Sequence, residues 1–294
     1  YLILIDDGST DSSADIIKKW QDKFPNNIRY VYKENGGQAS ARNLGLQYVD
    51  TDWVTFIDPD DFVNSQYFKV VDDNLINNKD VYAVGCSLEL YLESGRVIKN
   101  THPLKYKFNS KNKKHLISNL DRNIQMSASS TVFKVNESIR NGYCRFNDKI
   151  KPNFEDAKFI ADYFLYNYDK EIIFIGNAKY YYRKREDGSS TLDNSWKNVE
   201  LFDDVFEFGL IPMLTSYQSE FNFVPKNIQW MAIYHISWYF GRLINKNHNH
   251  SILSKKEETK FLQLLDTVFS MISSQTIMEF NLAGLWFVHK VGML

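Results

Sequence analysis

The 294 residues are enough to bury a substantial core, in one large domain with an appendage or in two ordinary domains. With 44% hydrophobic and 24% charged residues, 13 Gly and 6 Pro, the composition is globular and excludes disordered, collagen-like and low-complexity classes. The 35 Lys+Arg against 36 Asp+Glu give a formal charge of -1 and no broad basic footprint, which excludes nucleic acid as a general partner.

In chain order, Tyr1 to Ile5 is an apolar run that predicts a buried strand, and it starts without a leader, as if inside a domain of a longer protein. A helix is predicted from Ser12 to Lys23, with Ser9, Thr10, Asp11 and Ser12 as cap candidates and Ile16, Ile17, Trp20 and Phe24 on one apolar face. A strand at Ile28 to Tyr32, a helix at Ala39 to Val49 and a strand at Trp53 to Ile57 complete a βαβαβ pattern, which predicts a parallel sheet of short strands buried on both sides. After Asp61 come a helix near Gln66 to Asn77 and an antiparallel hairpin of Val81 to Leu92 with Arg96 to Lys99, turned at Glu93-Ser94-Gly95. The basic stretch Lys105 to His115 reads as a surface loop entering a helix. A strand follows at Ser127 to Lys134, a helix at Phe154 to Tyr166, and strands at Glu171 to Ile175 and Lys179 to Arg183.

Past Trp196 apolar positions recur at helical spacing, in Val199 to Leu214, Ile228 to Leu243 and Lys260 to Ile272. We therefore expect an α/β catalytic domain over residues 1–195 and a helical region over 196–294. The end at Leu282 to Val288 is apolar and stops without a polar tail, which again reads as a piece of a larger protein. Cys86 and Cys144 read as buried thiols in a reducing compartment, and no run approaches the roughly 20 apolar residues that span a bilayer.

Asp6-Asp7-Gly8-Ser9-Thr10-Asp11 follows an apolar strand and precedes a helix, where open α/β sheets bind ligands, although the same residues are ordinary turn formers. Asp58-Pro59-Asp60-Asp61 follows another apolar strand. Three carboxylates within four residues repel unless a cation intervenes, and a hard ion such as Mg²⁺ or Mn²⁺ suits them; a solvated acidic turn is the competing reading. Between them, Asn35-Gly36-Gly37 opens a helix carrying Arg42, whose donor fork suits phosphate or a base.

These motifs, in this order and with Ala41-Arg42-Asn43-Leu44-Gly45, resemble the family-2 glycosyltransferases of the GT-A fold over about the first two-thirds of the chain. The resemblance implies an α/β, Rossmann-like, mixed and mainly parallel sheet flanked by helices, with the helical C-terminal region after it. It implies Asp6 and Asp7 on the base and ribose of a nucleotide, Asp58 near the ribose, and Asp60 on a Mn²⁺ or Mg²⁺ ion bridging the diphosphate. Asp61 would be an outer partner.

Asn153-Phe154-Glu155-Asp156 matches the family's Glu-Asp pair, which puts Glu155 in the nucleotide-sugar site and makes Asp156 the catalytic base; an acidic helix N-terminus is the plainer reading. Tyr180-Tyr181-Tyr182-Arg183 through Thr191 resembles the closing motif, with Arg183, Arg185 and Ser189 on the diphosphate or an anionic acceptor; a strand ending in a charged turn competes. This segment and the helices after it are similar to transferases that decorate teichoic acids or capsular polymers in Gram-positive bacteria, some fused to a polyol-phosphate polymerase module. The family's first strand would precede Tyr1 and lies outside this sequence.

The implied activity is inverting, metal-dependent transfer from a nucleotide sugar, UDP-linked by preference, to a hydroxyl of an envelope polysaccharide, teichoic acid or lipid-linked glycan. It would take place in the cytoplasm, at the inner face of the membrane. A catalytically silent nucleotide-sugar or glycan binding module and a sugar nucleotidyltransferase are the alternatives. Elsewhere, His248 and His250 read as an exposed loop, and Trp230, Tyr234 and Trp238, at i, i+4 and i+8, read as core although they could stack sugars.

Overall fold

The structure is a computed structural model and describes residues 1–76, 78–109, 112–186, 194–243 and 252–294. Ser189, His248 and His250 lie outside the described residues. Strands β1 (Leu2–Asp7) and β2 (Ile28–Lys33) pair in parallel, Leu2 opposite Ile28 and Asp7 opposite Lys33, with helix α1 (Ser13–Lys23) crossing between them and α2 (Gln38–Leu46) following.

The third expected strand, β3 (Trp53–Thr55), joins a different sheet. It pairs antiparallel with β8 (Thr131–Lys134) at the edge of a sheet ordered β3-β8-β5-β9-β4, in which β4 is Phe62–Val63, β5 Val81–Leu92 and β9 Glu171–Lys184. Two short strands attach to it, β6 (Val97–Lys99) on β5 and β7 (Lys113–Leu116) on β9. Among the described residues, parallel pairing is confined to β1 with β2 and to the long β5 with β9; the remaining pairs are antiparallel. The free edges of β1 and β3 line one common cavity.

Three local expectations are corrected. The apolar face of α1 does not join the core: Ile16, Trp20 and Phe24 are 51%, 52% and 41% exposed, because α1 covers only a two-stranded ribbon too narrow to bury a helix face. For the same reason β1 is only half buried rather than enclosed on both sides.

The described residues of the stretch 105–115 do not form a surface loop entering a helix. They make a short 3₁₀ turn, Lys105–Phe108, that buries Lys107, and then strand β7, whose backbone is satisfied by β9. The two strands expected between Glu171 and Arg183 are one strand, carried over a bulge at 176–178 where its pairing with β5 skips from Ile175 to Lys179.

Helix α3 (Tyr67–Leu75) covers one face of the large sheet, where Val71 packs with Val84, Cys86, Ile173 and Ile175. Helix α5 (Glu155–Tyr166) belongs to the larger core and buries Phe159, Ile160, Tyr163 and Phe164 with Phe133, Phe146 and Phe174, each such side chain contributing about 1.5–3 kcal/mol of hydrophobic stabilisation. The sheet comes close enough to itself that a Cβ on Gly85 would stand 2.5 Å from the Phe174 ring. Cys86 and Cys144 are buried free thiols, both pushed up to about 12 by burial.

Beyond residue 195 helices α6 (Ile211–Phe221), α7 (Lys226–Leu243) and α8 (Lys255–Ser270) pack into that same core. The Tyr217 hydroxyl donates to the Ala161 carbonyl of α5 at 2.8 Å, and the Phe154 ring lies 4.6 Å from His235 of α7. The helices are thereby fixed against the element that carries Glu155 and Asp156. No helix among the described residues is long and apolar enough to cross a membrane.

Candidate active site

The ends of β1 and β3 and the start of α5 deliver carboxylates to one cavity of about 1660 Å³. Its lining includes Asp7, Arg42, Asp58, Asp60, Asp156 and Arg185 from the first part of the chain and Tyr234, His235 and Trp238 from α7.

At its centre is Arg42 of α2, 8% exposed, whose guanidinium gathers three carboxylates. Its Nη2 donates to Asp58 at 2.8 Å, its Nη1 donates to Asp156, and Glu155 lies 3.7 Å away. Burial disfavours a charged guanidinium, but Asp156, Asp58 and Glu155 outweigh it and hold Arg42 cationic. The fork expected to reach a phosphate or base is thus turned toward carboxylates.

The loop before β8 completes the bracket. The Ala128 N–H donates to Asp156 Oδ2 at 2.8 Å, and Ser129 Oγ donates to Asp58 Oδ2 at 3.0 Å. Gln38 Nε2 adds a bond to Asp58 Oδ1 at 3.0 Å. Burial raises Asp156, opposed chiefly by Arg42, and Glu155 is pushed up to about 8 by burial and by the neighbouring Asp156 charge. A carboxylate kept ionised by one arginine yet raised by burial is suited to accept a proton, and each Asp156 oxygen keeps a lone pair beyond its protein bond.

The acidic turn after β3 is held from β9. Tyr180 Oη donates to Asp61 at 2.7 Å and accepts the Asp58 N–H at 3.2 Å, while the Arg183 N–H donates to Asp61 at 2.8 Å. Asp61, pushed up to about 6 by burial, therefore faces β9. Asp60 is paired with Arg185 at 2.9 Å. The Arg183 side chain turns away, 3.5 Å from Glu93 and over the Tyr91 ring.

Asp6 and Asp7 shape the first turn. Asp6 accepts from the Ser9 N–H and the Tyr30 hydroxyl, both at 2.8 Å, which together overcome burial and hold it below the usual range. Asp7 accepts from Lys33 and from the Gly36 and Gly37 N–H groups at 2.9 and 2.8 Å, and these likewise outweigh burial. Two glycines are required here: Gly8 has φ +76° and a Cβ on it would meet the Asn35 nitrogen at 2.8 Å, and Gly37 has φ +85°.

Among the described residues no three His, Cys, Asp or Glu side chains form a metal cage. A hard cation at a phosphate site needs none, since one or two carboxylates suffice when phosphate oxygens supply the other ligands. Asp60 and Asp58, at one rim of the cavity, fit that donor set.

Sequence reasoning missed Ala128, Ser129, Gln38 and Tyr180. The small-residue run Ser127-Ala128-Ser129-Ser130 was the available signal, read only as the start of a strand. Lys107 was also missed: it is buried, lines the cavity and donates to the Ile124 carbonyl at 2.6 Å and to Gln125, whose amide in turn donates to the Ser127 carbonyl and to Thr131 Oγ1. Burial lowers it to about 7.

A glycine-rich acidic turn, a second acidic turn and a bracketed carboxylate thus meet on one cavity of an α/β fold. Residues 2–137, a little under half of the chain, match the family described as Glycosyl transferase family 2. It is 32% identical over 291 residues to the minor teichoic acid biosynthesis protein GgaB of Bacillus subtilis, covering 95% of this chain and 29% of the relative, and 27% identical over 280 residues to GgaA of the same organism, covering 95% and 60%. The chain therefore spans less than two thirds of the length of either relative. S. aureus TarS 1-349, solved in complex with UDP, shares the fold at a TM-score of 0.64 and 14% identity, over 94% of this chain and 72% of that one.

Proposed function

We propose that the protein transfers a sugar, with inversion, from a nucleotide sugar, UDP-linked by preference, to a hydroxyl of a teichoic-acid-type envelope polymer. The observation that carries this reading is Asp156, bonded by buried Arg42 and the Ala128 N–H in the cavity that also holds Asp58 and Asp60. The likeness to two teichoic acid biosynthesis proteins supports the acceptor class, and the UDP complex of a protein of the same fold supports the donor. In this reading residues 1–195 bind donor and carry the base, residues 196–294 wall the acceptor side, and the site works at the cytoplasmic face of the membrane with a polyol-phosphate polymerase module as partner.

Asp7, Gly36 and Gly37 form a turn suited to a nucleoside. Asp156 accepts the proton of the acceptor hydroxyl as its oxygen attacks the anomeric carbon from the face opposite the leaving diphosphate, and one displacement inverts the configuration. Arg42 keeps Asp156 ionised and aimed. Asp60, with Asp58, would hold Mn²⁺ or Mg²⁺, and that ion, when bound, neutralises charge on the leaving diphosphate. Arg185, on the same rim as Asp60, is placed to meet the same oxygens.

Asp156→Asn tests the reading, because the amide keeps the size of the side chain and removes the base. The expected result is UDP affinity within about twofold of wild type with a loss of turnover on the order of 10²-fold or more. Unchanged turnover would remove Asp156 from the mechanism and leave a nucleotide-binding module.

A further inference from the structure

A second cavity of about 470 Å³ adjoins the active site and has no place in the chemistry above. Tyr106, Arg122, Trp238 and Asn281 line it, and Pro103 and Trp238 line both cavities, so Trp238 stands at the passage between them. The structure divides the aromatic stripe of α7. Trp230 and Tyr234 are core, 4% and 7% exposed, with Trp230 5.1 Å from the Phe280 ring, whereas Trp238 is 48% exposed. An indole left half open between two cavities on a helix otherwise buried on that side is placed to meet a ligand.

Arg122 is the basic residue of this cavity's lining, and it stands in a basic stretch of the sequence. Residues 97–125 hold seven Lys or Arg against a single acidic residue, Asp121, in a chain whose total charge is -1. Arg122 lies 5.1 Å over the Tyr106 ring, an arrangement that fixes its planar fork, and no carboxylate is paired with it among the described residues.

We infer that this second cavity holds the acceptor chain one or more repeats back from the reacting hydroxyl, and that the chain it fits is a phosphodiester-linked polymer of hydroxylated units. The indole of Trp238 packs on the C–H face of a polyol or sugar unit, the Arg122 fork takes a phosphodiester oxygen pair, and the Asn281 amide bonds to hydroxyls. A neutral glycan would use the aromatic face and leave the Arg122 guanidinium unmatched. The inference rests on the transferase reading for its direction, from the chain end at Asp156 past Trp238 to Arg122, and on the cavity itself for its chemistry.

The test is direct binding of a glycerol-phosphate octamer to the whole chain by calorimetry, without donor, beside a neutral oligosaccharide of equal length. The octamer is expected to bind at least tenfold more tightly than the neutral chain, with that preference shrinking as salt rises. Arg122→Ala is expected to weaken octamer binding at least tenfold and Trp238→Ala at least fivefold, with Trp238→Phe between wild type and Trp238→Ala. UDP affinity stays unchanged in all three variants. Arg122 is exposed, so its removal leaves the core intact and keeps the test decisive even where Trp238→Ala does not fold. Octamer binding unchanged in Arg122→Ala and Trp238→Phe, or equal affinity for the neutral chain, overturns the inference. Asp156→Asn separates the two readings: it binds octamer as wild type does if the subsite is right, whatever its turnover says about the base.

Discussion

Replacing Arg42 by Met removes the cation seated among Asp58, Asp156 and Glu155 while roughly keeping its length. Arg42 is 8% exposed, and breaking a buried ion pair from one side typically costs about 3–5 kcal/mol because the abandoned carboxylate stays desolvated. Glu155 is raised by burial and by the neighbouring Asp156 and lies 3.7 Å from the guanidinium, whereas Asp58 and Asp156 accept its hydrogen bonds and are the carboxylates left without their donor. A loss of about 4 kcal/mol follows, which at about 2–4 °C per kcal/mol lowers Tm by on the order of 10 °C. The pH dependence has a definite sign. Asp156 is already raised by burial, and without Arg42 it rises further. A carboxyl whose folded pKa lies above its unfolded one favours the native state in acid and loses that contribution as pH climbs from its unfolded value toward the folded one. The deficit of Arg42→Met against wild type should therefore shrink steadily from pH 8 to pH 5, measured by calorimetry in metal-free buffer. A deficit below about 1 kcal/mol, or one that does not change across that range, would refute the account of Arg42 as the counter-charge of the site.

Lys107→Met should change both stability and rate. Lys107 is lowered by burial to about 7, so wild type is most stable above its ordinary range and loses stability as pH falls from about 10.5 through 7; the variant lacks this slope, which melting curves at pH 7 and 10 will show. It also frees Gln125 and the loop that presents Ala128 to Asp156, so kcat should fall about tenfold with UDP affinity unchanged, a split that steady-state kinetics with parallel calorimetry resolves. Asp60→Ala should weaken UDP binding about tenfold or more in Mn²⁺ and not at all in EDTA; equal affinities in both buffers would remove Asp60 as a metal ligand.

Strand ends and turn chemistry are local properties, and they singled out Asp7, Asp58 and Asp60, while Asp156 came from the match to the family's Glu-Asp pair; all four line one cavity. Which carboxylate faces which partner is not local. Arg42 and Asp156 are 114 positions apart and Tyr180 and Asp61 are 119, and nothing in either segment encodes the register that joins them. Periodicity also misled where it was strongest. The apolar face of α1 has the right spacing, but spacing describes what a helix offers and not whether a surface exists to receive it, and β1 with β2 supplies too little.

Lys107 is the converse case: a lysine in a basic, polar stretch carries every signal of solvent exposure, and it is buried because the carbonyl of Ile124 and the amide oxygen of Gln125 replace water around its ammonium. Such substitution is invisible until the chain has folded, since the replacing groups are backbone or uncharged and leave no mark in composition. Functional sites collect these cases for a physical reason. Presenting a base at a fixed angle requires rigid, desolvated supports, and rigidity in a polar site comes from long-range hydrogen bonds rather than from apolar packing. The proposed base, Asp156, was therefore legible as a residue through its match to the family's Glu-Asp pair, while the bracket of Arg42, Ala128 and the Lys107-Gln125 relay behind it became visible only in three dimensions.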